Sequence, residues 1–303
     1  MLILLQQLIN GLTTGTLFAL IAIGYTMVYG IIELINFAHG DLFMLGTFVA
    51  LWLVSLMKLE NASPAVATGG IALAFLASMS FCAALNFLQD RIVYRPLRGA
   101  PKLTPLVSAI GVSFVFMGVG QIWYGVADIN FPDVLPNKNL LSSDAIRFTA
   151  KDLLVILVTV PLMVGLTLFV RFTKMGKAMR ATAQNPTAAR LMGIDVDRVI
   201  GWTFAIGGLL AGAASVIYGL TINTVSFQMG YQNGLYAFTA AVLGGIGNLP
   251  GAMLGGVIIG LIRSLGSQYV GEQWTSALVF AILILLLVFR PSGLLGARTR
   301  EKV

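Results

Sequence analysis

The chain is a succession of apolar stretches about 20 residues long joined by short polar connections, and this pattern dictates the solvent in which it folds. About 20 apolar residues span a bilayer's hydrocarbon core as a helix, where every backbone polar group must be paired internally. Such stretches run over about 4–32, 42–57, 65–88, 105–125, 152–172 and 199–220. Residues 236–290 are apolar almost throughout, broken at 244–251 and near Gly271-Glu272. They hold three crossings, or one crossing plus a re-entrant pair. The fold class expected is all-α: a polytopic transmembrane helix bundle of about eight to ten segments, nine favoured, forming a single domain over 1–303. Ser63-Pro64 and Thr104-Pro105 open two helices with a capping residue followed by proline. Asp152 is a candidate cap and Pro161 a candidate kink.

Composition excludes the other classes. Charged residues are 10 % of the 303, against roughly a quarter in soluble domains, and mean hydropathy is +0.89. A soluble enzyme, a disordered regulator and a nucleic-acid-binding domain are all ruled out. Alternating runs of barrel-strand length are lacking. The one cysteine and one histidine leave no metal-ligand spacing, so neither a metal site nor a catalytic residue is expected. No Lys or Arg precedes the first apolar run, which therefore reads as an uncleaved anchor.

Charge placement orients the chain. Arg91, Arg95, Arg98 and Lys102 fill one connection, and Arg171, Lys174, Lys177, Arg180, Arg190 and Arg198 another. Arg290, Arg298, Arg300 and Lys302 fill the tail. By the positive-inside rule these three lie in the cytosol. The balanced loop 126–151, with Asp128, Asp133 and Asp144 against Lys138, Arg147 and Lys151, lies outside, as does the amino terminus. Topology and contact with the lipid bilayer thus account for the basic residues without nucleic acid. Glycine pairs four apart (Gly11/Gly15, Gly208/Gly212, Gly251/Gly255, Gly256/Gly260) mark seams where helices in lipid approach closely.

Enzyme motifs are lacking: no P-loop pattern, no His-Glu-x-x-His, no Gly-x-Ser-x-Gly. Between 153 and 271 the only acidic residues are Asp195 and Asp197, which weighs against a stand-alone ion-driven carrier. Three segments carry candidate function. The polar run Ile35–Asp41, with Asn36, Phe37, His39 and Asp41, is either a pathway or gate element or a cytosolic turn capped by Asp41. The interruption Gly244-Gly245-Ile246-Gly247-Asn248 is either a discontinuous helix at a transport site or a tight cytosolic hairpin. The stretch 173–198 has a complete capping grammar: a helical run, Asn185-Pro186 to restart, and Gly193 to stop. It is a candidate docking element for a cytosolic partner. Arg263 stands alone in an apolar run and must face protein, water or an interface; Glu272 could reach it only after a helix end.

Gly24-Tyr25-Thr26-Met27-Val28-Tyr29-Gly30, Ile35 to Asp41, Met175 to Ala181, Leu191 to Ile194, and Ala237 to Gly247 resemble the LivH-type permeases of bacterial branched-chain amino acid ABC importers, and the similarity extends over essentially the whole chain. The resemblance implies an ABC importer permease fold in the bacterial inner membrane. It implies a paralogous LivM-type permease partner, two ABC ATPase subunits that bind the ATP, and a periplasmic amino-acid-binding protein. This chain itself would hold no cofactor. The resemblance also places a substrate pathway at Tyr25, Tyr29, Asn36, Phe37, His39, Asp41, Gly244, Gly245, Gly247 and Asn248. ATPase coupling falls to Arg180, Asn185, Ala188, Leu191, Gly193 and Ile194. Arg263 departs from the family, where an acidic residue is commoner. Permeases for other neutral amino acids, for urea or for other small polar solutes share these motifs.

Overall fold

The computed structural model describes residues 2–101, 103–140 and 146–296. Lys102, Asp144, Arg298, Arg300 and Lys302, used above for orientation, lie outside the described residues. The helices are α1 (Leu2–Ile32), α2 (Ala38–Leu56), α3 (Pro64–Gln89, continued by a π-helical turn Asp90–Tyr94), α4 (Leu103–Tyr124) and α5 (Ala150–Phe172). Two short helices follow, α6 (Lys174–Gln184) and α7 (Pro186–Leu191), then α8 (Val196–Ile222), α9 (Met229–Gly244), α10 (Leu249–Tyr269) and α11 (Glu272–Phe289). Two short strands, β1 (Ile129–Asn130) and β2 (Thr224–Val225), pair antiparallel with Ile129 opposite Val225.

Eight of the helices are long and apolar enough to cross a membrane. About three-quarters of the best window is buried in α1, α2 and α8, but only 11 % in α11. The first three therefore form the centre, and α3, α4, α5, α10 and α11 surround them.

The glycine pairs are the seams. A Cβ on Gly256 or Gly260 would fall 2.4 Å from Ala19 Cα and 2.3 Å from Gly15 Cα, which binds α10 to α1. One turn around the same helix, Gly251 and Gly255 sit against the carbonyls of Gly244 and Ala240 of α9. On α8, Gly208 and Gly212 do the same against Cys82 and Ser78 of α3. With no hydrophobic gain between helices in lipid, such close approach is what makes them associate.

Several local expectations need correction. The second apolar helix begins at Ala38, not 42, and Phe37 precedes it without a side-chain cap, so Asp41 lies in its first turn and caps nothing. In α5 the cap is Thr149; Asp152 is the third helical residue, closing a capping box with it. The region 236–290 is neither a simple triple crossing nor a single crossing with a re-entrant pair. α10 and α11 are full spans, whereas α9 has 16 residues, about 24 Å, against a core of about 30 Å.

The reason is depth. A Cβ on Gly24 of α1 would lie 2.3 Å from His39 Nε2, and Gly24 is eight residues from the end of α1. The start of α2 is therefore about 12 Å inside the bundle from the end that carries the basic connections. Gly46 of α2 packs on Ser215 of α8, and Gly40 packs on Gly230 of α9. Counted along α2 and α8, α9 begins about 20 Å below the opposite end of α8. Both helices start in the interior, and the segment 223–228 leads from the end of α8 to the start of α9, anchored where the Phe131 amide donates to the Asn223 carbonyl at 2.8 Å.

Candidate functional site

The starts of α2 and α9 meet at mid-depth, and most of the polar residues flagged in the sequence are there. The linker 33–37 turns back from α1 through Glu33, which adopts a left-handed φ of 53°. Its buried Asn36 is held from three sides. Asn36 Oδ1 accepts from Tyr94 Oη at 2.9 Å and Gln89 Nε2 at 3.0 Å, and Asn36 Nδ2 donates to Asn86 Oδ1 at 3.4 Å. Asn86 in turn donates to the Phe204 carbonyl of α8 at 2.6 Å. Asn36 thus pins the linker to α3, the π turn and α8. Such a network satisfies polar groups at a depth where no water is at hand.

His39 and Asp41 are fully buried. The His39 ring stands edge-on to Tyr25, centroids 4.8 Å apart, and neither ring nitrogen has a hydrogen-bond partner of normal geometry. Asp41 Oδ2 accepts from the Ser113 hydroxyl of α4, while Oδ1 has no partner. Phe37 and Tyr25 both pack on Phe238 of α9, at 5.9 and 6.3 Å between centroids. The space between Tyr25, Tyr29, Ile35, Phe238, Ala241 and Ile246 is only about 10 Å³, room for about one water. The junction is closed by aromatic side chains.

The glycine-rich interruption borders this junction through Ile246. Gly244 ends α9, Gly245 (φ 105°) and Gly247 (φ 89°) make the turn, and Asn248 caps α10 by accepting from the Gly251 amide at 3.0 Å. Asn248 Nδ2 also donates to the Leu295 carbonyl at 2.6 Å. This is a tight hairpin at the basic end. It lies close to Gly30 of α1, whose helix carries Tyr25 and Tyr29 into the junction.

The segment 173–198 is folded as its caps direct. Thr173 caps α6 through the Gly176 amide, and Asn185 caps α7 by accepting from the Thr187 and Ala188 amides, both at 3.0 Å. Gly193 ends it at φ 82°. Arg180 ties α6 back to α5 by donating to the Val170 and Arg171 carbonyls. Ala189 is buried and Ile194 half-buried, whereas Ala188 and Gly193 are exposed and Leu191 and Met192 are 84 % and 83 % exposed. Two large apolar side chains therefore project from a rigidly capped turn. Beside it, Arg98 bridges Asp90 at 2.5 Å and Asp197, joining the π turn to the start of α8.

Sequence reasoning left Arg263 without a setting and missed its neighbours. It lines a cavity of about 310 Å³ with Asn10, Thr14, Asp152, Tyr218 and Asn233, toward the end opposite the basic connections. Glu272, at the start of α11, is 4.0 Å away. The available signal was a polar stripe at helical spacing on α1: Gln7, Asn10 and Thr14.

Comparison with known proteins identifies this architecture. The family model described as "Branched-chain amino acid transport system / permease component" matches residues 7–288. The chain is 41 % identical to the high-affinity branched-chain amino acid transport system permease protein BraD of Pseudomonas aeruginosa, covering 99 % of this chain and 98 % of that protein. It is 38 % identical to LivH of Escherichia coli K12, described in the same words, over 99 % and 97 %. More distantly, it is 24 % identical to the fructose import permease protein FrcC of Rhizobium meliloti, over 71 % and 61 %. No solved structure matches. A buried polar junction among eight described helices long and apolar enough to cross a membrane, together with a family match across nearly the whole chain, shows that this is a membrane-embedded permease belonging to the branched-chain amino acid transport system permease family.

Proposed function

We propose that this chain forms, as a single domain over 1–303, one half of the pore of an ATP-driven importer of branched-chain amino acids in a bacterial inner membrane. The basic end faces the cytosol. A paralogous LivM-type permease supplies the other half, a periplasmic binding protein delivers the amino acid, and two separate ABC ATPases bind the ATP. The observation that carries the reading is α7: Leu191 and Met192, almost fully exposed beyond a doubly capped turn, are the anchors expected of a helix that seats in a partner's groove. The pathway runs through the closed junction of Tyr25, Tyr29, Asn36, Phe37, His39 and Asp41 and past the hairpin Gly244, Gly245, Gly247 and Asn248 to the cytosol. ATP binding draws the ATPases together, and Arg180, Asn185, Ala188, Leu191, Gly193 and Ile194 pass that movement to the bundle.

The test is Gly193→Arg in the reconstituted complete importer. A Cβ at Gly193 meets no neighbour, so the cost is the left-handed φ, about 1 kcal/mol, and the subunit still folds. ATP-dependent leucine uptake is expected to collapse while thermal stability barely changes. Full uptake would refute the coupling assignment, and uptake by liposomes holding this chain alone would refute the importer reading. Competition by valine and isoleucine, and none by urea or fructose, checks the substrate class.

A further inference from the structure

The cavity around Arg263 stands apart from the closed junction, and its chemistry is that of a binding site. Its apolar wall includes Leu17, Val155 and Ile222. An adjoining space of about 210 Å³ shares Asn10, Thr14, Ile222 and Arg263 and reaches Gln7, Ser267 and Glu272. Arg263 is six residues from the end of α10, about 9 Å inside the bundle from the end opposite the basic connections.

A guanidinium at that depth needs a reason, and its own protein contacts do not supply one. It lies over the rings of Phe18 and Tyr236, at 5.6 and 5.1 Å to their centroids. These are aromatic contacts and take up none of its N–H donors. Its one ion pair among the described residues, with Glu272, is at 4.0 Å, too long for a hydrogen bond. The planar fork of donors matches a carboxylate. The same cavity holds the opposite charge: Asp152 Oδ2 is engaged by the Thr149 amide and hydroxyl at 2.9 and 2.7 Å, while Oδ1 takes no hydrogen bond from the described residues. A cation, an anion and an apolar wall thus face one space of about 310 Å³, the size of a small-ligand site.

We propose that this cavity binds the zwitterion of an aliphatic amino acid in transit, Arg263 holding its carboxylate and Asp152 its ammonium group. This deepens the import reading above and rests on it.

Saturation-transfer NMR on the complete importer in nanodiscs, without the binding protein, tests it with three probes: leucine, leucinamide and 4-methylvalerate. Leucine is expected to bind the unaltered importer about tenfold more tightly than either analogue. Arg263→Met should weaken leucine and 4-methylvalerate about tenfold and leave leucinamide unchanged, with Arg263→Lys recovering part of the loss. Asp152→Asn should weaken leucine and leucinamide and spare 4-methylvalerate. Equal binding of all three probes to the unaltered importer would overturn the proposal whatever the variants do. So would a variant that weakens all three alike, or leucine binding to Arg263→Met within twofold of normal. ATP-driven leucine uptake by the unaltered importer separates the two readings. If uptake is present and the probe pattern fails, only this site falls; if no branched-chain amino acid is taken up, the import reading falls.

Discussion

Replacing Gly260 by alanine isolates the physics of the central seam. Helix propensity alone favours the change by up to about 1 kcal/mol. The structure opposes it: the new Cβ would sit 2.3 Å from both Cα and N of Gly15 and 2.4 Å from the Gly11 carbonyl oxygen. These are backbone atoms, and no rotamer change relieves them. Ordinary contact begins near 3.4 Å, so α1 and α10 must separate by about 1 Å. A radial gap of that size forfeits a quarter to a half of the dispersion energy along the seam. Overpacking of this kind costs about 1–3 kcal/mol, which outweighs the propensity gain. Gly118 of α4 is the internal control, since a Cβ there meets nothing within 4 Å and Gly118→Ala keeps the propensity gain. The propensity gain cancels between the two variants, which should therefore differ by about 1–3 kcal/mol, or roughly 3–8 °C in the midpoint of a detergent-solubilised thermal melt. A Gly260→Ala melt at or above that of Gly118→Ala would refute the claim that close backbone approach holds α1 to α10.

Ser113→Ala removes the donor to buried Asp41 and should cost about 2 kcal/mol; the same change in an Asp41→Asn background should cost about half as much, read as paired thermal melts. Asn185→Ala deletes both side-chain bonds of the α7 cap, worth about 1 kcal/mol. Trypsin should then cut at Arg190 several-fold faster, with Asn185→Asp close to normal. Arg98→Gln leaves the 4 % exposed Asp90 carboxylate without its cation and should destabilise by about 3 kcal/mol; adding Asp90→Asn should recover most of that, which a double-mutant cycle measures directly.

Much of this architecture is written locally and can be read locally. The cap at Asn185 and the stop at Gly193 are short-range grammar, and the helix they bound appears where the residues place it; the cap of α6 at Thr173 obeys the same grammar but was not read. The glycine pairs found their seams because spacing of four puts both on one face, although the partner helix could not be read. Depth is another matter. Asn36, His39 and Asp41 look the same in a cytosolic turn and in a mid-bilayer junction. Only contacts between distant segments, Gly24 with His39 and Gly40 with Gly230, decide between them. The start of α9 at Met229 rather than 236 was hidden for the same reason, since hydropathy does not register where a helix begins inside an apolar environment. The cavity around Arg263 draws on five helices; single polar residues such as Asn10, Thr14 and Asn233 carry no local sign that they converge.

α1 is what relates these places to one another. It is one unbroken helix of 31 residues, so it transmits tilt along its length. Thr26 and Gly30 line a space of about 90 Å³ with Met179 and Arg180 of α6 and Gly247 of the hairpin. Tyr25 meets His39 at the junction, and Asn10, Thr14 and Phe18 line the cavity of Arg263. The glycine seam makes α10, which carries Arg263, the companion of α1 in any such tilt. α9 is tied to α10 by the seam of Gly251 and Gly255, whereas α2 begins at mid-depth and meets α1 through the His39–Tyr25 contact and Gly24. On the import reading, a displacement of α6 by the ATPases moves α1, α9 and α10 as one body against the start of α2. The aromatic closure at Tyr25, Phe37 and Phe238 opens or shuts while the cavity lining carried by α1 and α10 moves intact. A cross-link between α1 and α10 should therefore leave transport running, whereas one between Phe37→Cys and Phe238→Cys, whose rings lie 5.9 Å apart, should stop it; arrest by both would mean that the seam itself must slide.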